Sequence, residues 1–263
     1  MPSSILAISE CTLDDWQLPE QVAVVQTYRH GGVSQTPYDS MNVGLHVDDD
    51  SQAVATNRQR LQQRMPGCQD IHWLNQVHGT QVFHLNRPPR MTPNADAAIS
   101  REPGQACTIM TADCLPVLIC ANDGSEVAAA HAGWRGLANG ILEQTVKAMV
   151  TPADRLRVWL GPCIGPKQFQ VGAEVRDVFI AQSPQNADAF QPSVSGKWLA
   201  DLQLLAMMRL LQLDVSNISA DRRCTYLHPE LFFSYRRASH VDDKACKGVT
   251  GRMASAIWIK ANA

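Results

Sequence analysis

The stretch that most constrains the fold is Cys114–Ala121, an apolar run interrupted by Pro116. It is far shorter than the ~20 apolar residues a membrane-spanning helix needs. It runs into Asn122-Asp123-Gly124-Ser125, a good hairpin turn, and a second strand candidate, Glu126–Ala130, follows. Comparable strand signals recur over the first two thirds of the chain. Gln21–Tyr28 ends at His30-Gly31-Gly32, and Ile71–Val77 and Gln81–Leu85 flank His78-Gly79-Thr80. Ala106–Met110 precedes Thr111-Ala112-Asp113-Cys114, Arg155–Leu160 reads as another strand, and Ala254–Lys260 closes the set.

Helical spacing is rarer. Leu137, Ile141, Leu142, Thr145, Val146 and Met149 fall on one helical face, which predicts one helix from Leu137 onward. Val171–Gln182 is a second candidate. Asp201 caps a third, Leu202–Leu213, which is apolar on most sides. Strands and helices mix without strict alternation, so an α/β-type layered fold is expected and not a simple doubly wound sheet. Asn86–Asn94 and Ser183–Gly196 are polar and carry prolines, and they read as long surface loops within a single domain spanning 1–263.

Composition narrows the classes further. A chain of 263 residues with 45% hydrophobic and 18% charged residues is not a disordered chain and is long enough for a full core. A net charge of −2 argues against a dedicated nucleic-acid binder, and no run is long enough to span a membrane. Met1–Leu6 carries no Lys or Arg, and Glu10, Asp14 and Asp15 follow, unlike a secretory or transit signal. Eight cysteines include no C-x-x-C pair, so free thiols and a cytoplasmic location are expected.

Three polar turns, each beside an apolar strand, present His78, Cys114 and His131. A thiolate and two imidazoles suit Zn²⁺, and three protein ligands leave a fourth position open, the pattern of a catalytic site. Zn²⁺ there would bring the pKa of a bound water towards ~7. Thirty-five residues separate His78 from Cys114 and sixteen separate Cys114 from His131, gaps that no short metal motif spans. Two other readings stay open: Cys114 as a nucleophile with His131 as its base, or a buried thiol beside turn-capping histidines. Arg135, near the start of the predicted helix, is a candidate for holding an anion. Arg29 beside Gly31-Gly32, Asn42 in Met41-Asn42-Val43-Gly44 and Arg236 after Leu231-Phe232-Phe233 are further candidates. Cys163, in Gly161-Pro162-Cys163-Ile164, has no adjacent base and reads as structural.

These motifs together resemble one family, known as the laccase-domain or polyphenol oxidase family and also as the purine nucleoside phosphorylase / peptidoglycan editing factor family. The resemblance runs from about Gln26 to Ile259. It rests on Arg29-His30-Gly31-Gly32-Val33-Ser34, Asn57-Arg58, Gln76-Val77-His78-Gly79, Ala95-Asp96-Ala97, Thr111-Ala112-Asp113-Cys114-Leu115-Pro116, His131-Ala132-Gly133-Trp134-Arg135-Gly136, Gly161-Pro162-Cys163-Ile164 and Ser234-Tyr235-Arg236-Arg237. Val47-Asp48-Asp49 departs from the family's usual Gly-Asp.

The resemblance implies a four-layer α/β/β/α sandwich with mixed sheets and zinc on His78, Cys114 and His131. It implies phosphorolysis of adenosine, inosine and methylthioadenosine to free base and ribose 1-phosphate, with adenosine deamination as a second activity. Its partners would be purine nucleosides and inorganic phosphate, with a monomer or weak homodimer as the expected state. One branch is named instead for removing a wrongly incorporated serine from a peptidoglycan precursor, UDP-MurNAc-Ser. The laccase name implies copper, but a four-copper oxidase needs many histidines. This chain has eight, with no H-x-H pair, although copper at the His78–Cys114–His131 site stays open. For deamination, Asp113 is the nearest carboxylate, either moving a proton or orienting a ligand histidine. For phosphorolysis, Arg29, Arg135 and Arg236 would supply charge, and Asn42 or Gln76 would hold ribose or base.

Overall fold

The computed structural model describes residues 9–85, 91–242 and 246–261. In chain order its strands are β1 (Ser9–Glu10), β2 (Val22–Gln26), β3 (Asp70–His72), β4 (Val82–His84), β5 (Ala97–Ser100), β6 (Gln105–Thr111), β7 (Leu115–Ala121), β8 (Val127–Ala132), β9 (Leu156–Leu160), β10 (Gln170–Val171), β11 (Phe190–Pro192), β12 (Trp198–Ala200), β13 (Asn217–Ala220) and β14 (Met253–Ile259). The helices are α1 (Ser51–Gln62), α2 (Trp134–Asn139), α3 (Ile141–Ala148), α4 (Ala173–Gln182), α5 (Leu202–Gln212) and α6 (Tyr235–Ser239).

Two mixed sheets form the centre. The larger has the order β1-β13-β9-β7-β8-β5-β4, the smaller β2-β14-β6-β3, and a short sheet β10-β12-β11 lies apart from both. β7 and β8 form the expected antiparallel hairpin, with Val117 opposite Ala130 and Leu118 opposite Ala129. Gly124 supplies the positive φ (73°) of its turn.

Both strands of this hairpin are buried along their whole length because each face meets another layer. Leu115, Val117 and Ile119 point one way, into a core shared with Leu137, Ile141 and Leu142. Leu118 and Cys120 point the other way, against Cys107, Ile109 and Ile257 of the smaller sheet. The far face of that sheet packs Ala106, Ala256 and Trp258 on Leu61 and Met65 at α1 and its end. The layers are therefore α/β/β/α, as the resemblance implies. Truncating a residue between the sheets, such as Leu118→Ala, costs about 2–5 kcal/mol.

The structure departs from the sequence reading at several elements. The predicted helix from Leu137 is two helices, broken at Gly140, whose φ of 96° only glycine holds without strain. The Ile71–Val77 strand stops at His72, after which Asn75 bridges to Asn94 instead. Ser183–Gly196 is not an irregular loop: it holds a 3-10 turn and β11, and Phe190 packs against Phe179. α1 and β5 went unrecognised. α1 buries only Val54, Asn57 and Leu61, so its apolar stripe is thin, and β5 is a short Ala-Ala-Ile-Ser. Residues 86–90 of the Asn86–Asn94 loop lie outside the described residues.

Candidate metal centre

His78, Cys114 and His131 converge at the ends of strands from both sheets. One ligand atom from each lies within 4.8 Å of the others. His131 is next to last in β8 and pairs with Pro116 of β7, which places it beside Cys114. His78 sits in the loop before β4 with a φ of 58°, and Asp113, just ahead of Cys114, has a φ of 94°. Left-handed backbone at two such bulky positions persists only where the surroundings hold it.

Asp96 is one of those constraints. It is fully buried, and its carboxylate accepts from the His131 Nδ1 (2.9 Å) and from the main-chain N–H groups of Val77 (3.2 Å), His78 (2.9 Å) and Gly79 (2.7 Å). One carboxylate thus fixes the ring of one histidine and the backbone of the other. With Nδ1 engaged, Nε2 of His131 is the nitrogen left to bind a metal.

The electrostatics agree with this arrangement. Burial opposes ionisation of Asp96, yet hydrogen bonds from His131 and Gly79 outweigh it and hold the carboxyl below its ordinary range. Burial also disfavours charge on His131, but the neighbouring Cys114 and Asp96 win and push its pKa up to about 9. His78 moves the other way, lowered by desolvation and by His131, so its ring is neutral near pH 7 and offers a lone pair.

The residues fit a metal. The set is one sulfur and two imidazoles. A Cβ on Gly133 would lie 2.7 Å from His78 Nδ1 and 3.1 Å from Cys114 Sγ, so a glycine is required where the chain passes the ligands. Among the described residues this is the one cluster of three or more His, Cys, Asp or Glu side chains able to hold an ion.

The centre opens on a cavity of about 420 Å³, a size suited to a small ligand. Gln76, Arg135 and Arg236 line it, as do His46, Phe169 and Arg252, which the sequence reading missed. The Gln76 amide is committed to the main chain of Met110, accepting from its N–H (2.7 Å) and donating to its carbonyl (2.8 Å). Arg135 is exposed and stacks over Trp134 at 4.4 Å.

Other expectations need correcting. Arg29 does not line the cavity: it pairs with Asp39 (3.0 Å) and donates to the Pro229 carbonyl. Asn42 is fully buried and likewise outside the cavity lining. Its Oδ1 accepts from the N–H groups of Gly44 (2.9 Å) and Arg252 (2.8 Å), so it positions Arg252. Asp113 does not orient a histidine. Its oxygens accept from Thr225 Oγ1 (2.6 Å) and the Arg236 N–H (2.7 Å), and orientation of His131 belongs to Asp96. Asp96 had a sequence signal in Ala95-Asp96-Ala97, whereas His46 and Arg252 had none. Val47-Asp48-Asp49 turns the loop: Asp48 is left-handed, and Asp49 accepts from Ser34 and Asn42.

A family model described as multi-copper polyphenol oxidoreductase laccase matches residues 23–260. The chain belongs to this family. One relative is purine nucleoside phosphorylase PA4543 of Pseudomonas aeruginosa, 49% identical over 94% of this chain and 97% of that protein. Purine nucleoside phosphorylase YfiH of Escherichia coli is 46% identical over 96% of this chain and 100% of its own. Two solved structures share the fold. NMB0706 of Neisseria meningitidis is 44% identical with a TM-score of 0.86, covering 94% of this chain and 97% of its own. YlmD of Geobacillus stearothermophilus is 31% identical with a TM-score of 0.82, covering 92% and 93%. The family description speaks of several coppers, whereas the described residues of this laccase-family chain gather one three-ligand group. None of its described helices is long and apolar enough to cross a membrane.

Proposed function

We propose that the chain is a zinc-dependent purine nucleoside phosphorylase. It converts adenosine, inosine and methylthioadenosine to free base and ribose 1-phosphate, with adenosine deamination as a second activity. The observation that carries this reading is the pairing of a His-Cys-His centre with a cavity lined by three arginines, Arg135, Arg236 and Arg252. The one carboxylate lining it, Asp113, is already engaged by Thr225 and the Arg236 N–H. Such a cavity favours an anionic reactant beside a neutral nucleoside. The names of the relatives point to the same chemistry.

In phosphorolysis a phosphate oxygen bonds C1′ of the ribose as the C1′–N9 bond breaks. The electron pair leaves with the base, which then takes up a proton. The arginines offset the phosphate charge and orient it. Zn²⁺ at His78, Cys114 and His131 would supply a Lewis acid. Asp96 keeps His131 in place, and Asp113 holds the start of α6 and with it Arg236. The free state of all eight cysteines accords with a cytoplasmic location, which we propose together with a monomer or weak homodimer.

The test is incubation of zinc-loaded protein with adenosine, with and without phosphate, and chromatography of the products. Phosphate-dependent adenine and ribose 1-phosphate, lost in Cys114→Ala, are expected. Inosine formed without phosphate would make deamination the primary chemistry, and no turnover would end the purine reading.

One observation favours a second reading. His131 sits between Cys114 and Asp96, the order of a nucleophile, its base and an orienting carboxylate. That order would serve an amidase releasing serine from UDP-MurNAc-Ser. An acyl group trapped on Cys114 would favour it over a thiolate held permanently by a metal. Copper in place of zinc, as a polyphenol oxidase would need, would appear as bound copper with oxidase turnover.

A further inference from the structure

Two guanidinium groups reach the metal-side cavity from separate parts of the chain, and both are anchored in the same way. Arg252, just before β14, donates from Nη1 to the carbonyls of Thr250 (2.9 Å) and Gly251 (3.1 Å). Arg236, in α6, donates from Nη1 to the carbonyls of Gln168 (3.4 Å) and Gln170 (3.0 Å). A guanidinium carries five N–H donors in one rigid plane. Anchoring through Nη1 leaves the Nε–Nη2 edge, which can meet two oxygens of one anion side by side. Neither edge has a protein acceptor among the described residues.

Several arginines elsewhere in the chain are paired with carboxylates. Arg223 lies on Asp221, Arg222 on Asp201 and Arg209 on Glu143. The bases of Arg236 and Arg252 are held by buried polar groups instead. Asp113 accepts from the Arg236 N–H and Asn42 from the Arg252 N–H. Gly44 leaves room for Arg252, since a Cβ there would lie 2.8 Å from its Cγ. Desolvation holds the Arg252 guanidinium below its ordinary pKa, against the opposing pull of Cys114 and Asp113. Arg252 and His46 also line a second cavity of about 430 Å³, so this wall separates two chambers.

We propose that Arg236 and Arg252 form a clamp for a phosphate group, either inorganic phosphate or the phosphate of a phosphorylated ligand. Its part in turnover rests on the phosphorolysis reading, but its capacity to bind an anion does not.

The experiment titrates inorganic phosphate and adenosine 5′-monophosphate by calorimetry into zinc-loaded wild type, Arg252→Gln, Arg252→Lys and Arg236→Gln. It also measures the KM for phosphate with adenosine. Each Gln variant should weaken phosphate binding and raise that KM about 10- to 100-fold, with metal content unchanged. Arg252→Lys keeps the charge but not the two-donor edge. It should recover only part of the loss, and it serves as the folded variant should Arg252→Gln not fold. Tighter binding of the nucleotide than of phosphate, with the same losses, assigns the clamp to a phosphorylated ligand. Equal affinity in wild type and variants, or no anion binding by wild type, overturns the clamp. Phosphate binding that the variants lose, with no ribose 1-phosphate from wild type, keeps the clamp and removes the phosphorolysis reading.

Discussion

Asp96 and Asp113 are both buried carboxylates near strand ends beside one metal centre, yet they hold different things. Asp96 gathers three main-chain N–H groups of the His78 loop and the ring of His131. Asp113, next to Cys114 in sequence, turns away to Thr225 and the start of α6. The first carboxylate serves the metal ligands and the second serves the wall that carries Arg236. Proximity in sequence to a ligand is thus a poor guide to which acid supports it. The pairing of β5 with β8, which sets Ala97 opposite Ala130, brings Asp96 to His131 from far along the chain.

The largest effect is expected from Asp96→Ala. It removes an acceptor shared by four N–H groups and leaves His131 without its buried partner. Metal affinity should fall about 10- to 100-fold, and unfolding should cost about 3–5 kcal/mol less. Asp113→Asn should leave metal affinity within about threefold while raising KM for phosphate, as the Arg236 wall loosens. Equal loss of metal in the two variants would erase the contrast between them.

Gly133→Ala sharpens the metal side alone. The new methyl would meet His78 Nδ1 at 2.7 Å and Cys114 Sγ at 3.1 Å. Metal affinity should drop about tenfold or more, measured by competition with a chelator, with a smaller change in melting temperature.

The pH dependence follows from His131. Its pKa of about 9 in the metal-free protein means that a proton occupies the ring near neutrality. A metal must displace that proton, so affinity should rise about tenfold per pH unit from pH 7 and level off above pH 9. A flat profile would show that metal binding displaces no proton, contrary to a protonated His131. The smallest effect is expected from Thr225→Val, which removes one donor to Asp113. It should cost about 1–2 kcal/mol of stability and leave metal affinity unchanged.

Much of the frame was legible in the chain itself. Leu115–Ala121 reads as a strand because a layer covers each of its faces, and Asp201 caps α5 as its chemistry suggests, accepting from the Leu204 N–H. α1 was not legible, because a helix that covers a sheet with Val54 and Leu61 needs little apolar sequence. The ligand trio could be picked by residue type at strand ends. The support of that trio could not, since Asp96 meets His131 only through sheet pairing. Asn42 and Arg252 show the same limit: the buried amide holds a cation more than two hundred residues away, a contact created by β14 closing the smaller sheet.

The most direct test of the account is X-ray absorption at the edge of the bound metal, with metal content measured on wild type and Cys114→Ala. The account predicts one metal per chain, with one sulfur near ~2.3 Å and nitrogens near ~2.0–2.1 Å, and loss of that metal in the variant. A first shell without sulfur, or full metal retention by Cys114→Ala, would contradict it.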